Sequence, residues 1–351
     1  MPNAKDARKP RRPTMADVGR LAGVSATTVS FVLNEDSGQP ISETTRRRVL
    51  DAVAQLDYRP NKQARGLRTR KTGAIGFVTD EIASDPFAGA TILGAHEVAW
   101  ARGSLLMVVN TTRQSKVLRE VIDDLVDRPV DAIIFGVVGT RRLQVPDALK
   151  GVPAVLLNCW ATGDLFPSVL PDEVAGGREA ARMVLAAGHR RVAHLSGPNA
   201  AWATRARLRG FREAMAEAGL EPSTATVLEG DFHTGSGYEL TRTLLERPAA
   251  SLPTAILCGN DRMALGAYLA LAEAGLRIPG DMSVVGYDDQ TDLAADIAPA
   301  LSTVRIPYYQ MGRWAATHLV GGAGPRDLPS GRTLLPCPPV VRASVGPPRA
   351  G

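Results

Sequence analysis

The chain has 351 residues, 44% of them hydrophobic and 22% charged, ordinary values for a globular protein with room for two or three domains. No run of 18 apolar residues occurs, and no apolar stretch follows the basic N-terminus, so neither a membrane-spanning helix nor a secretory signal is expected. Net charge is +5 but unevenly spread: residues 1–72 hold 15 Lys and Arg against 7 Asp and Glu, whereas the remainder is mildly acidic, so one end is built to meet a polyanion.

Residues 1–13 carry Lys5, Arg8, Lys9, Arg11 and Arg12 between prolines and are expected to be a disordered basic tail. Thr14-Met15-Ala16-Asp17 then has the spacing of a capping box. Val18, Leu21 and Ala22 behind it mark the inner face of a short helix over about 15–22. Gly23-Val24-Ser25 makes a turn, and Ser25 caps a second helix over about 26–33 with Val29, Val32 and Leu33 facing inward. A third helix over about 43–56 follows Ser42, with Val49, Ala52, Val53 and Leu56 as its apolar stripe. Three short helices joined this way have helix-turn-helix form and define a DNA-binding domain over 14–58. The outer face of the second helix carries Ala26, Thr27 and Phe31 amid Ser25, Thr28, Ser30 and Asn34. Short hydroxyl and amide groups suit phosphate oxygens, whereas a merely solvated face normally carries Lys and Glu.

Beyond Thr72, apolar runs alternate with segments of helical spacing. AIGFVT, SLLMVVN, DAIIF and PAVLLN form a first set, and RVAHLS, ATVLEG, TAILC and SVVGYD a second. Two such series predict two doubly wound α/β lobes on parallel sheets, with ligand bound between them at the carboxyl ends of the strands. The segment has no GxGxxG, no GxxxxGK[ST] and no GxSxG, so an enzyme is not expected. Its histidines and its three cysteines (Cys159, Cys258, Cys337) lack metal-ligand spacing, so neither a metal nor another cofactor is expected.

TMADVGRLAGVSATTVSFVLN, YRPNKQARGLRTRKTGAIGFV, HRRVAHLSGP, NDRMALGA and SVVGYDD occur in that order, and in them the chain resembles the lactose/galactose repressor (LacI/GalR) family of transcription regulators from about residue 14 onward. The resemblance implies a cytoplasmic homodimeric repressor, nucleoid-associated when bound to a pseudo-palindromic double-stranded operator, with a periplasmic-binding-protein-like core that holds a small effector. It places Ala26, Thr27 and Phe31 against bases and Thr14, Ser25, Thr28, Ser30 and Asn34 on the backbone. It makes 59–72 a hinge whose helix, Asn61 to Leu67, folds when paired on DNA. There Leu67 wedges into the minor groove, Ala64 allows close approach and Arg68 reaches a base or phosphate.

In the core, 73–351, the resemblance implies an N-lobe of about 73–170 and 300–330 and a C-lobe of about 171–299 and 331–345. It points to Phe87, Asn158, Arg207, Phe232, Asn260 and Asp288 as effector-binding. Arg207 can instead pair with Glu213, Asp261 can simply cap its helix, and Phe232 can be core. Trp160 and Trp202 are further rings able to stack on a sugar. Gly136 lacks a polar group that some sugar-binding relatives carry, and Ala201 stands where the purine-responsive branch has arginine. A sugar or sugar derivative is therefore expected over a nucleobase, with acidic Asp80, Glu81 and Asp85 near the cleft mouth.

Overall fold

A computed structural model describes residues 13–33, 41–59, 72–80, 88–111, 115–127, 130–320 and 331–349. Asn34, Asn61, Ala64, Leu67, Arg68, Phe87 and the basic tail lie outside these residues. The chain divides into two compact units, Met1–Thr72 and Gly73–Gly351.

The first unit holds α1 (Met15–Ala22), α2 (Ala26–Leu33) and α3 (Glu43–Gln55). The capping box forms: the Asp17 amide donates to Thr14 Oγ1 (3.3 Å) and the Thr14 amide to Asp17 Oδ2 (2.9 Å). Ser25 Oγ accepts from the Thr28 amide (3.0 Å), and Ser42 Oγ from the Thr45 amide (3.3 Å). These bonds satisfy amides that a helix start otherwise leaves open. Val18, Ala22, Val29, Val32, Val49, Ala52 and Tyr58 close the small core. Leu21, expected inside, is 47% exposed. The inner line of α1 runs through 18 and 22, and at 3.6 residues per turn position 21 stands about 60° from the first and about 100° from the second.

The second unit contains two parallel sheets. The first has the order β2–β1–β3–β4–β5–β11, from β1 (Ala74–Asp80), β2 (Leu105–Thr111), β3 (Ala132–Leu143), β4 (Ala154–Ala161), β5 (Ser168–Pro171) and β11 (Arg332–Leu335). Helices α4 (Ala88–Ala101) and α10 (Tyr308–Leu319) cover one face, and α5 (Ser115–Asp127) the other. Alternate residues divide between the two: Ile75, Ile134 and Val155 pack toward α4 and α10, and Val78, Ile133 and Phe135 toward α5. Both faces of β1, β4 and the first half of β3 are buried, which is why these strands read as unbroken apolar runs.

The second sheet has the order β7–β6–β8–β9, from β6 (Val192–Ser196), β7 (Thr226–Glu229), β8 (Ala255–Cys258) and β9 (Ser283–Val285). It lies between the pair α6 (Glu173–Ala186) and α7 (Trp202–Glu217) and the pair α8 (Thr234–Leu245) and α9 (Asp261–Glu273). A third, antiparallel pair joins β10 (Thr303–Val304) to β12 (Pro339–Val340). His189 fixes the chain end to this lobe, its ring nitrogens bonding Thr254 Oγ1 (2.8 Å), Ser283 Oγ (3.0 Å) and the Gly346 carbonyl (2.9 Å).

Two expected boundaries move. Ser302 and Arg305 bridge to Val285 and Asp288, so residues 300–305 belong with the second lobe. Residues 332–335 add to the first sheet beside β5 rather than to the second lobe. The half-exposed RTLL segment fits an edge strand, and Pro336 and Pro338 then end it, because proline cannot donate to a ladder. The lobes are thus joined by three strands of chain, at about 171–172, 305–307 and 336–338.

Candidate functional site

On α2, Ser25, Ala26 and Thr27 are exposed, while Thr28, Ser30 and Phe31 are half-buried. Thr28 Oγ1 and Ser25 Oγ share a hydrogen bond (2.9 Å), and the Thr14 hydroxyl donates to Asp17 (2.6 Å). The face is therefore a shallow, uncharged ridge ending in one partly sunken ring. Such a ridge can enter a groove without carrying a charge into it. The half-buried Phe31 ring has no hydrogen-bonding group and can offer only an apolar contact.

The second site forms where the carboxyl ends of β6, β8 and β9 meet α6 and α7. Asp172 Oδ1 caps α6 by accepting from the Ala175 amide (3.0 Å), which puts Glu173 in the first helical turn. There the partial positive charge of the helix end favours a carboxylate. Gly177 of α6 lies against the backbone of Arg207, and Gly210 of α7 against that of Val174. Any β-carbon at either glycine would hold the helices apart. With both absent, Glu173 reaches Arg207 as a buried two-pronged pair: Nε to Oε2 at 2.7 Å and Nη2 to Oε1 at 2.9 Å. Arg207 Nη1 donates to the Gly259 carbonyl (2.6 Å), and Nη2 stands 3.7 Å from Asp288 Oδ1. Tyr287 lies under the guanidinium, 3.7 Å from its ring centre, and Phe232 is 6.0 Å away.

The structure thus brings Arg207, Phe232, Asn260 and Asp288 together. Asn260 caps α9, its Oδ1 accepting from the Met263 amide (2.9 Å) while Nδ2 donates to the Phe232 carbonyl (3.0 Å). Its amide therefore positions the Phe232 turn. Phe232 has φ 68° and Asp288 φ 116°, conformations that cost backbone energy outside glycine and persist where the surroundings fix them. Gly197 leaves room for the Phe232 ring, which lies directly on it.

Burial holds the Asp288 carboxyl well above the usual range despite Arg207 beside it. Burial likewise pushes Asp261 up to about 7, although its oxygens accept from Thr303 Oγ1 (2.6 Å) and the Gln290 amide (2.7 Å). Burial opposes the Arg207 charge, but Glu173 more than compensates and keeps the guanidinium protonated.

Several sequence readings change here. Arg207 pairs with Glu173, while Glu213 is bonded by Arg178 and Arg209. Asn260, not Asp261, is the α9 cap. Asn158 belongs to β4 of the other lobe, with φ 59° at a register shift between Gly136 and Arg141. Its Oδ1 accepts from Thr140 Oγ1 (2.5 Å) and its Nδ2 donates to the Val137 carbonyl (3.0 Å), so its amide secures the β3–β4 irregularity. Asp80 accepts from the Val138 amide (2.9 Å) and pairs with Arg141. Trp160 at the end of β4 meets Trp202 at the start of α7 edge to face, ring centres 5.6 Å apart, and so joins one lobe to the other. Glu173 and Tyr287 escaped the sequence reading. The tandem glycine at 176–177 inside a helix was the available sign of a close approach there.

Residues 14–61 match the family described as bacterial regulatory proteins, lacI family, and residues 178–345 match the periplasmic binding protein-like domain. The chain is 34% identical over 310 residues to the ribose operon repressor of Escherichia coli (strain K12), covering 88% of this chain and 92% of that protein. It is 33% identical over 338 residues to the sucrose operon repressor of Escherichia coli, covering 94% and 99%. Among solved structures, that of the Lac repressor dimer bound to operator and the anti-inducer ONPF aligns with TM-score 0.75 and 30% identity over 96% of this chain and all of that one. With a helix-turn-helix head, a two-lobed parallel-sheet core and these relatives, the chain belongs to the lacI family of bacterial regulatory proteins.

Proposed function

We propose that the protein is a homodimeric, sequence-specific transcriptional repressor, without catalytic activity, whose operator binding is set by a small sugar-like effector between the lobes. One observation carries this reading: a head with an uncharged α2 ridge and a core with a buried polar group at the carboxyl ends of its strands occur in one chain. The relatives named above repress sugar operons, and the Lac repressor structure is a dimer on operator DNA, which supports the same assignment. Ala26, Thr27 and Phe31 read bases in the major groove, and Leu67 kinks the central step with Ala64, Asn61 and Arg68 beside it. In the core, Asp288 and the unspent Nη hydrogens of Arg207 take effector hydroxyls, and Phe232 packs on the sugar ring. Asn260 and Asn158 act through the backbone they hold. Phe87 is a further effector contact.

The test has two arms. Thermal shift against ribose, sucrose, glucose and nucleobases identifies a native-state binder, and anisotropy on a selected operator reads its effect on DNA affinity. A sugar that raises the melting temperature and changes operator affinity, with both effects reduced by Phe232→Ala, is the expected result. Leu67→Ala is expected to weaken operator binding while leaving non-specific binding and its salt slope nearly unchanged. A nucleobase as sole ligand sinks the sugar reading. An effector-independent regulator is the second reading, favoured by the fact that the Arg207 fork and both Asn amides are already engaged inside the protein; operator binding unmoved by every ligand would select it.

A further inference from the structure

Resting on the cleft as an effector site, we infer that Glu173 is a specificity-determining residue that confines the site to uncharged effectors and keeps phosphorylated and carboxylated ligands out. A free arginine fork at the base of a cleft is an anion receptor, because its parallel N–H groups match two oxygens of a carboxylate or phosphate. In this chain the match is already made. Glu173 fills the Nε–Nη2 edge at 2.7 and 2.9 Å, and the Gly259 carbonyl takes Nη1 at 2.6 Å. Side-chain exposures of 8% for Arg207 and 2% for Glu173 make this an internal, water-poor pair whose charges cancel.

Every other approach to Arg207 is unfavourable to an anion. Tyr287 covers one face of the guanidinium at 3.7 Å, and the Asp288 carboxyl stands 3.7 Å from Nη2. Asp261, two residues after the Gly259 carbonyl that Arg207 bonds, is buried as well. A phosphate would have to displace Glu173, leaving a buried carboxylate without its partner, or settle beside Glu173 on an arginine already neutralised. Both place uncompensated negative charge in a site that water scarcely reaches. A hydroxyl meets neither obstacle: it accepts from a remaining Nη hydrogen and donates to Asp288. Glu173 owes its reach to the Asp172 cap and the Gly177–Gly210 contact, so the restriction is built into the packing of α6 on α7.

Binding to the full chain at fixed ionic strength tests this. The probes are D-ribose, D-glucose, their 5- and 6-phosphates and inorganic phosphate, measured against wild type, Glu173→Gln, Glu173→Ala and Glu173→Gln with Arg207→Gln. Wild type is expected to show no saturable binding of the phosphate-bearing probes. Glu173→Gln or Glu173→Ala should gain at least about tenfold in affinity for one of them, and the double variant should lose that gain. Two Glu173 variants guard against one failing to fold; should both misfold, wild type decides, since saturable binding of either phosphate ester overturns the inference and its absence supports it. The inference also falls if folded Glu173 variants gain nothing. Should wild type bind neutral and phosphorylated sugars alike, the sugar reading stands and this inference fails. Should it bind no sugar while a Glu173 variant acquires Arg207-dependent phosphate binding, the inference stands and the sugar reading fails.

Discussion

The Arg207–Glu173 pair can be weighed by removing each partner and then both. Arg207→Leu deletes two charge-assisted bonds and the bond to Gly259, and strands a carboxylate that is 2% exposed. Breaking a buried pair in this way costs about 3–5 kcal/mol, because the remaining charge keeps its desolvation penalty without its partner. Glu173→Leu is expected to cost less, about 2–3 kcal/mol, since Asp288 already stands 3.7 Å from Nη2 and can take up part of the charge. With both replaced by leucine, neither charge remains to be solvated, and stability should return to within about 1–2 kcal/mol of wild type. The coupling in the cycle is therefore about 3 kcal/mol or more, well above the roughly 0.5 kcal/mol within which independent sites add. Urea unfolding read by tryptophan fluorescence suits the measurement, because Trp100, Trp160, Trp202 and Trp314 all lie in the second unit and the head contributes no signal. Single losses that simply add in the double variant would show that the pair contributes nothing as a unit, and would remove the ground for treating the Arg207 fork as occupied.

Three further outcomes follow from packing, titration and capping. Gly177→Ala puts a β-carbon inside van der Waals contact of the Arg207 backbone, and should cost about 1–3 kcal/mol as the helices part, measured by the same urea curves; an unchanged midpoint would contradict the close crossing. His194 is buried against Phe211, and burial, with Arg207 and Arg212 adding to it, lowers its pKa from 6.5 to about 4. The unfolded chain therefore takes up the proton first, and stability is lost as pH falls from about 6.5 through about 4, by roughly 2–3 kcal/mol between pH 7 and 4.5. His194→Leu should flatten that part of the profile, whereas an equally steep fall would assign it to other groups. Thr14→Ala removes both halves of the capping arrangement made by its hydroxyl, and should cost the head about 1 kcal/mol; hydrogen exchange of the α1 amides should speed up about fivefold at that cost, and unchanged exchange would refute it.

What the sequence disclosed depended on how local the cause was. Caps and turns act over three or four residues, so Thr14 with Asp17, and Ser25 with Thr28, could be read directly and stand as read. Strands buried on both faces announce themselves as apolar runs, which located β1, β3, β4, β6, β8 and β9; the partly exposed β2 and β7 are apolar enough to read the same way. Strand β5 and the edge strand β11 have only four residues each, and β11 is exposed on alternate positions, so SVLP and RTLL offered no such run. The second lobe was consequently drawn too early at its last crossing. Leu21 shows the same limit on a helix: its spacing from Val18 fits an inner face, but the face is set by where α2 and α3 lie, which spacing does not contain.

The site divides along a sharper line. Motif position identified Arg207, Phe232, Asn260 and Asp288, and the fold gathers them; motif position said nothing of what each atom is already bonded to. Glu173 lies 34 residues from Arg207, on another helix, and no periodicity links them. The same holds for Asn158, whose amide is consumed by a strand irregularity 18 and 21 residues away. An arginine free in its cleft and an arginine neutralised by a buried glutamate have the same letter and the same position, yet one attracts anions and the other admits hydroxyls. The chemistry of this cleft therefore rests as much on two glycines that let α6 and α7 touch as on the arginine between them.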